Sequence, residues 1–95
     1  MASFRLSTRA RADLSTIGRY TKKQSGADQT ERYLLALEDC FALLANNPLL
    51  GRIFNPKKPV ERRMEQGSHV VFYRQENAGI FVRRILHKGV LPERR

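Results

Sequence analysis

Ninety-five residues support one hydrophobic core and no second one, so the chain is read as a single domain over residues 1–95. A hydrophobic fraction of 41% excludes disorder as the main state, and the lone Cys40 excludes an internal disulfide. Eighteen Lys and Arg against nine Asp and Glu give a net charge of +9, which points to a polyanionic partner: nucleic acid, an acidic protein or an anionic surface.

From the amino terminus, "SFRLS" alternates Phe4 and Leu6 with Arg5, the pattern of a short strand. From Thr8 the period lengthens. Ala10, Leu14, Ile17 and Thr21 step by four, three and four along one helical face, with Arg9, Arg11, Arg19, Lys22 and Lys23 elsewhere. Gly26 is placed to close this helix in a positive-φ conformation. Asp28 and Glu31 then have the spacing of a capping box for a second helix. Tyr33, Leu37, Cys40, Phe41 and Leu44 form its apolar stripe, widened by Leu34, so Cys40 is expected to be a core residue. Pro48 prevents continuation, and 47–59, with three of the four prolines, reads as a loop.

The second half reads as β-structure. "VERRMEQ" places Val60 and Met64 toward a core, Gln66-Gly67 is a turn, and "SHVVFYR" and "GIFVRRILH" are strands joined by "QENAG". The tail 88–95 is basic and is read as loosely held. A lone first strand must join the later meander to satisfy its backbone. The expected fold class is therefore α+β: β-α-α-β-β-β, a helical hairpin packed on one face of a mostly antiparallel sheet. Splitting the last two strands by parity assigns Val70, Phe72, Arg74, Ile80, Val82, Arg84 and Leu86 to the helix-covered face. His69, Val71, Tyr73, Phe81, Arg83, Ile85 and His87 are then expected on the open face, joined by Arg63. Two histidines without clustered carboxylates fall short of a zinc ligand set, so no metal or cofactor is expected.

Several stretches resemble the ParE branch of the RelE/ParE superfamily of bacterial toxins. They are "LSTRARADL", "IGRY", Tyr33, Phe41 and Leu44 of the second helix, "NPLLGR", "SHVVFYR" and "RRILH". The resemblance runs nearly end to end. It implies a growth-arrest and plasmid-stabilisation toxin that inhibits DNA gyrase without being an enzyme. It also implies neutralisation by a co-encoded ParD-like antitoxin through an acidic wrapping segment. The amino terminus "MASFRLSTRARADL" has no apolar signal region and no run approaches a membrane span, so the chain is read as cytoplasmic. Under the ParE reading the target-binding candidates are Arg63, Arg74, Arg83, Arg84, Lys88, Arg94 and Arg95. Those for antitoxin binding are Leu34, Arg11, Arg19, Lys22 and Arg52.

The sister RelE-like branch implies a ribosome-dependent mRNA endonuclease. In that alternative His87 or Tyr73 moves protons while Arg63 and Arg83 stabilise the phosphorane charge. A simple nucleic-acid-binding module rests on charge alone, since the first helix has no recognition-helix signature.

Overall fold

The computed structural model describes residues 2–91. Chain order is β1 (Ser3–Leu6), α1 (Thr8–Asn46), β2 (Arg52–Ile53), β3 (Glu61–Gln66), β4 (His69–Glu76), β5 (Gly79–His87) and a 3-10 turn, Lys88–Val90. The expected α+β architecture is present, with one addition: the loop after the helices contributes the two-residue β2.

Helix α1 is one hydrogen-bonded run broken at Gly26, whose φ of 86° and ψ of 175° are non-helical. No other residue type takes that φ at so little cost. The break makes two arms, 8–25 and 27–46, that fold back on each other, bringing Leu34 against Gly18. The second arm starts directly after Gly26, so Asp28 lies inside its first turn instead of capping it. The cap at the other end is Ser7, whose hydroxyl accepts from Ala10 N at 2.9 Å and donates to Arg83 O at 2.6 Å. One serine thus starts the helix and ties it to β5.

The sheet order is β1-β5-β4-β3-β2, with β1 parallel to β5 and all other pairs antiparallel. Ala10, Ile17, Leu37, Cys40, Phe41, Leu44 and Ala45 of α1 pack on Val71, Tyr73, Ile80, Val82 and Ile85. Phe4, Leu6, Leu14, Tyr33, Leu34 and Met64 close the margins. Val60, expected to face the core, precedes β3 and is exposed.

The parity assignment is corrected on β4 and on the second half of β5. The β4–β5 hairpin turns through two residues, Asn77 and Ala78, so Tyr73 pairs with Val82 and Gln75 with Ile80. Paired residues share a face, which places Val71 and Tyr73 under the helices and Phe72 and Arg74 outside. A bulge opposite Phe72/Tyr73 inserts one extra residue into β5, beyond which Val71 pairs with Ile85 and Phe72 with Arg84. Ile85 therefore joins Val82 in the core although the two are three residues apart. His69 is also buried on the covered side, against Tyr33.

Candidate functional site

Register places three rows of side chains across the open face. Arg5, Phe81, Arg74 and Glu61 form one row, and Phe72, Arg63 and Arg52 a second. Leu86, Val70 and Glu65 follow by register as a third, in which Val70 is fully buried as expected of it. Arginine and aromatic side chains alternate along Arg5, Phe81 and Arg74 of the first, and in the second Phe72 stands between Arg63 and Arg84. The Arg5 and Arg74 guanidiniums lie 4.6 and 4.9 Å from the Phe81 ring centroid, and that of Arg63 lies 5.8 Å from Phe72. Phe54 meets Phe72 edge-on at 5.3 Å.

Most of these cations have a carboxylate. Arg5 donates to both Glu76 oxygens, at 3.0 and 2.6 Å, and holds the Glu76 carboxyl below its ordinary range. Arg83 pairs with Glu61 at 2.8 Å. Arg84 donates to Asp13 on the first arm through Nε at 3.0 Å and Nη2 at 3.1 Å, and Asp13 also accepts from Ile85 N at 2.8 Å. The hydrogen bond to Asp13 raises the Arg84 pKa above its ordinary value. Arg84 is thereby a strut between helix and sheet, not a free target contact. Arg74 is exposed beside Phe81, and Lys88 lies 3.7 Å from Glu65. Arg94 and Arg95 fall outside the described residues.

The residues named for proton transfer are split between the two faces of the sheet. Arg63 and Arg83 share the open face, but Tyr73 is fully buried on the opposite one. Its hydroxyl donates to Pro48 O at 2.8 Å and accepts from Gly51 N at 2.8 Å. Burial pushes the Tyr73 phenol above its ordinary value, away from use as a base. "NPLLGR" is thus the other half of a clasp: Pro48 and Gly51 hold the Tyr73 hydroxyl, and a Cβ on Gly51 would lie 2.5 Å from it. Arg62 closes the clasp by donating to Gly51 O at 2.7 Å. His87 is exposed at the end of β5, where its Nδ1 accepts from Gly89 N at 2.9 Å and caps the 3-10 turn. His69 is linked to Tyr33 Oη at 2.6 Å, and burial followed by repulsion from His87 lowers its pKa.

A second surface lies on the helical side. An open apolar groove of about 640 Å³ runs between the two arms and β1, lined by Phe4, Leu6, Leu14, Leu34, Leu35 and Phe41 with Lys22, Glu31 and Glu38 at its rim. Of the antitoxin candidates, Leu34 and Lys22 line it. Arg11 and Arg19 are exposed on the first arm, with Arg19 donating to Ser15 at 2.9 Å. Arg52 stands apart, on β2 at the sheet edge opposite β1.

Sequence reasoning assigned no contact to Asp13 or Glu65 and did not foresee the exposure of Leu49, Leu50, Ile53 and Val60. The signal for the first three was apolar residues in a proline-rich loop. Among the described residues no three His, Cys, Asp or Glu side chains gather as a metal site. No described helix is long and apolar enough to cross a membrane.

Relatives were found by both sequence and structure. A Toxin ParE1 of Caulobacter vibrioides is 34% identical over 90 residues, covering 95% of this chain and 93% of the relative. A Toxin ParE1 of Mycobacterium tuberculosis is 38% identical, covering 94% and 92%. The fold matches the chromosomal ParDE toxin–antitoxin system of P. aeruginosa with a TM-score of 0.73 at 21% identity, over 92% of this chain and 96% of that one. It also matches the toxin–antitoxin complex RelBE2 of M. tuberculosis with a TM-score of 0.66 at 22% identity, over 92% and 98%. The model of the ParE toxin of the type II toxin–antitoxin system parDE matches residues 4–91, and with relatives this similar over nearly their whole length, the chain belongs to the ParE toxin family.

Proposed function

We propose that this toxin works by binding, with DNA gyrase as its target and a ParD-like antitoxin as its neutralising partner, and that it acts in the cytoplasm. The observation that carries the choice of binding over chemistry is the position of Tyr73. Its hydroxyl is spent inside the core, on the far side of the sheet from Arg63 and Arg83. A general acid or base must come within hydrogen-bond reach of its substrate. The open face offers guanidinium and aromatic groups, which suit contact with a carboxylate- or phosphate-bearing surface. Supercoiling of plasmid by purified gyrase tests the target. Added toxin is expected to block supercoiling and accumulate linear DNA after detergent and protease; unchanged supercoiling at excess toxin refutes it.

The apolar groove supports the antitoxin reading. An amphipathic segment can lay apolar side chains against Leu34, Leu35 and Phe41 and meet Lys22 with a carboxylate. Structural relatives that belong to toxin–antitoxin systems support such a partner. Leu35→Glu is expected to weaken capture of a co-expressed antitoxin while leaving the fold intact by circular dichroism.

One observation favours the endonuclease alternative: Arg63 and Arg83 do lie on one face of a sheet whose fold matches RelBE2. Primer extension in a translating extract decides it, with intact transcripts excluding cleavage.

A further inference from the structure

Glu65 stands on the open face among three cations from three different elements. Arg63 lies two residues before it on β3, Arg52 is opposite Arg63 on β2, and Lys88 opens the turn after β5. Arg52 Nη2 and Arg63 Nη2 approach Glu65 Oε2 at 3.8 and 3.6 Å, and Lys88 Nζ approaches Oε1 at 3.7 Å. All three distances exceed hydrogen-bond length. The Arg63 side chain is only 16% exposed, and its Nε is buried with no acceptor among the described residues. A buried guanidinium N–H without an acceptor costs free energy that a native structure rarely leaves uncompensated. Glu65 does not compensate it: its carboxylate lies beyond hydrogen-bond length even from Arg63 Nη2.

From this we propose that Arg52, Arg63 and Lys88 form a phosphate-binding site that Glu65 occupies in its absence. Three donors converging from different elements match the tetrahedral oxygens of a phosphate better than the planar pair of a carboxylate. Counting the four side chains, three positive and one negative, leaves a local charge of +2. Glu65 is half exposed and free to swing outward when a phosphate enters. Phe72 backs the Arg63 guanidinium and keeps it in place. The site belongs to the free chain and stands whether or not gyrase is the target.

The test is titration of the purified chain with inorganic phosphate, following the Arg63 Nε–Hε resonance by NMR. A saturable shift is expected, with Glu65→Gln tightening binding by about fivefold, the scale of removing one competing exposed ion pair. Arg63→Gln removes that reporter, so its titration is followed at the Lys88 backbone amide, where the phosphate-dependent shift is expected to be lost. The fully folded control Arg52→Gln, at a site 71% exposed, weakens it by about threefold on the same scale. Oligonucleotides with and without a 5′-phosphate separate the sources. Competition by both assigns the site to backbone phosphodiesters, and competition by the 5′-phosphorylated one alone assigns it to terminal phosphates. No tightening in Glu65→Gln, or an equal response to acetate, overturns the proposal.

Discussion

Replacing Tyr73 with Phe removes one oxygen atom and separates a structural hydroxyl from a catalytic one. The ring stays in the core with the same partners, among them Val82 and Cys40, so no cavity of consequence opens. What is lost is the bridge between Pro48 O and Gly51 N, each at 2.8 Å. Gly51 is buried, so its N–H is left without a partner, while Pro48 is only half-buried and recovers some hydration. At about 1–3 kcal/mol for each stranded polar group, discounted for that hydration, the loss is about 2–3 kcal/mol. For a domain of this size that lowers Tm by roughly 10–20 °C. Urea unfolding followed by circular dichroism should show a lower midpoint with an unchanged m-value, because the core surface is the same. A midpoint equal to that of the parent chain, together with lost toxicity in cells, would refute the clasp and return Tyr73 to chemistry.

Three further outcomes are expected. Asp13→Asn weakens the strut that joins the first arm to Arg84 and to Ile85 N, at a cost of about 1–3 kcal/mol in denaturant titration; unchanged stability would show the strut to be dispensable. The folded-state pKa of His69 lies below its unfolded value, so the unfolded chain binds the extra proton and its stabilising contribution, intact above pH ~6.5, fades as pH falls below it. The groups facing that imidazole are Tyr33, His87 and Asp13, and His69→Gln should flatten the acid limb of the stability profile. Gly79→Ala places a methyl group against the Ser3 carbonyl at a φ of 152°, and an amide NMR spectrum should lose the dispersion of β1 and β5. A spectrum like that of the parent would place the β1 pairing elsewhere.

The helical hairpin was legible because a 3.6-residue period names both the element and its buried stripe: Ala10, Ile17, Leu37, Phe41 and Leu44 all lie in the core. Gly26 marked the break for the same reason that it permits it. The sheet was half legible. Alternation divides a strand into two sides without saying which is covered, and Tyr73 and His69 look like surface residues until their partners are known. Those partners, Pro48 with Gly51 and Tyr33, come from other elements 22 to 36 residues away. The bulge in β5 adds a second obstacle, since one inserted residue moves Ile85 to the side opposite the one strict alternation predicts. Arg63 and Arg83 were placed correctly on the open face. Tyr73 was expected beside them because a two-residue hairpin through Asn77-Ala78 carries none of the usual glycine signal.

The parallel pairing of β1 with β5 also sets when the fold can close. Ser3 and Leu6 are made first, yet their hydrogen-bonding partners Gly79 and Val82 are made among the last. During synthesis the hairpin can coil on local contacts, but the face bearing Leu37, Phe41 and Leu44 has no sheet to cover. A product ending before Ile80 lacks β5 and, with it, any neighbour for β1. Completion of the sheet, and of the core beneath it, is therefore a property of a nearly finished chain.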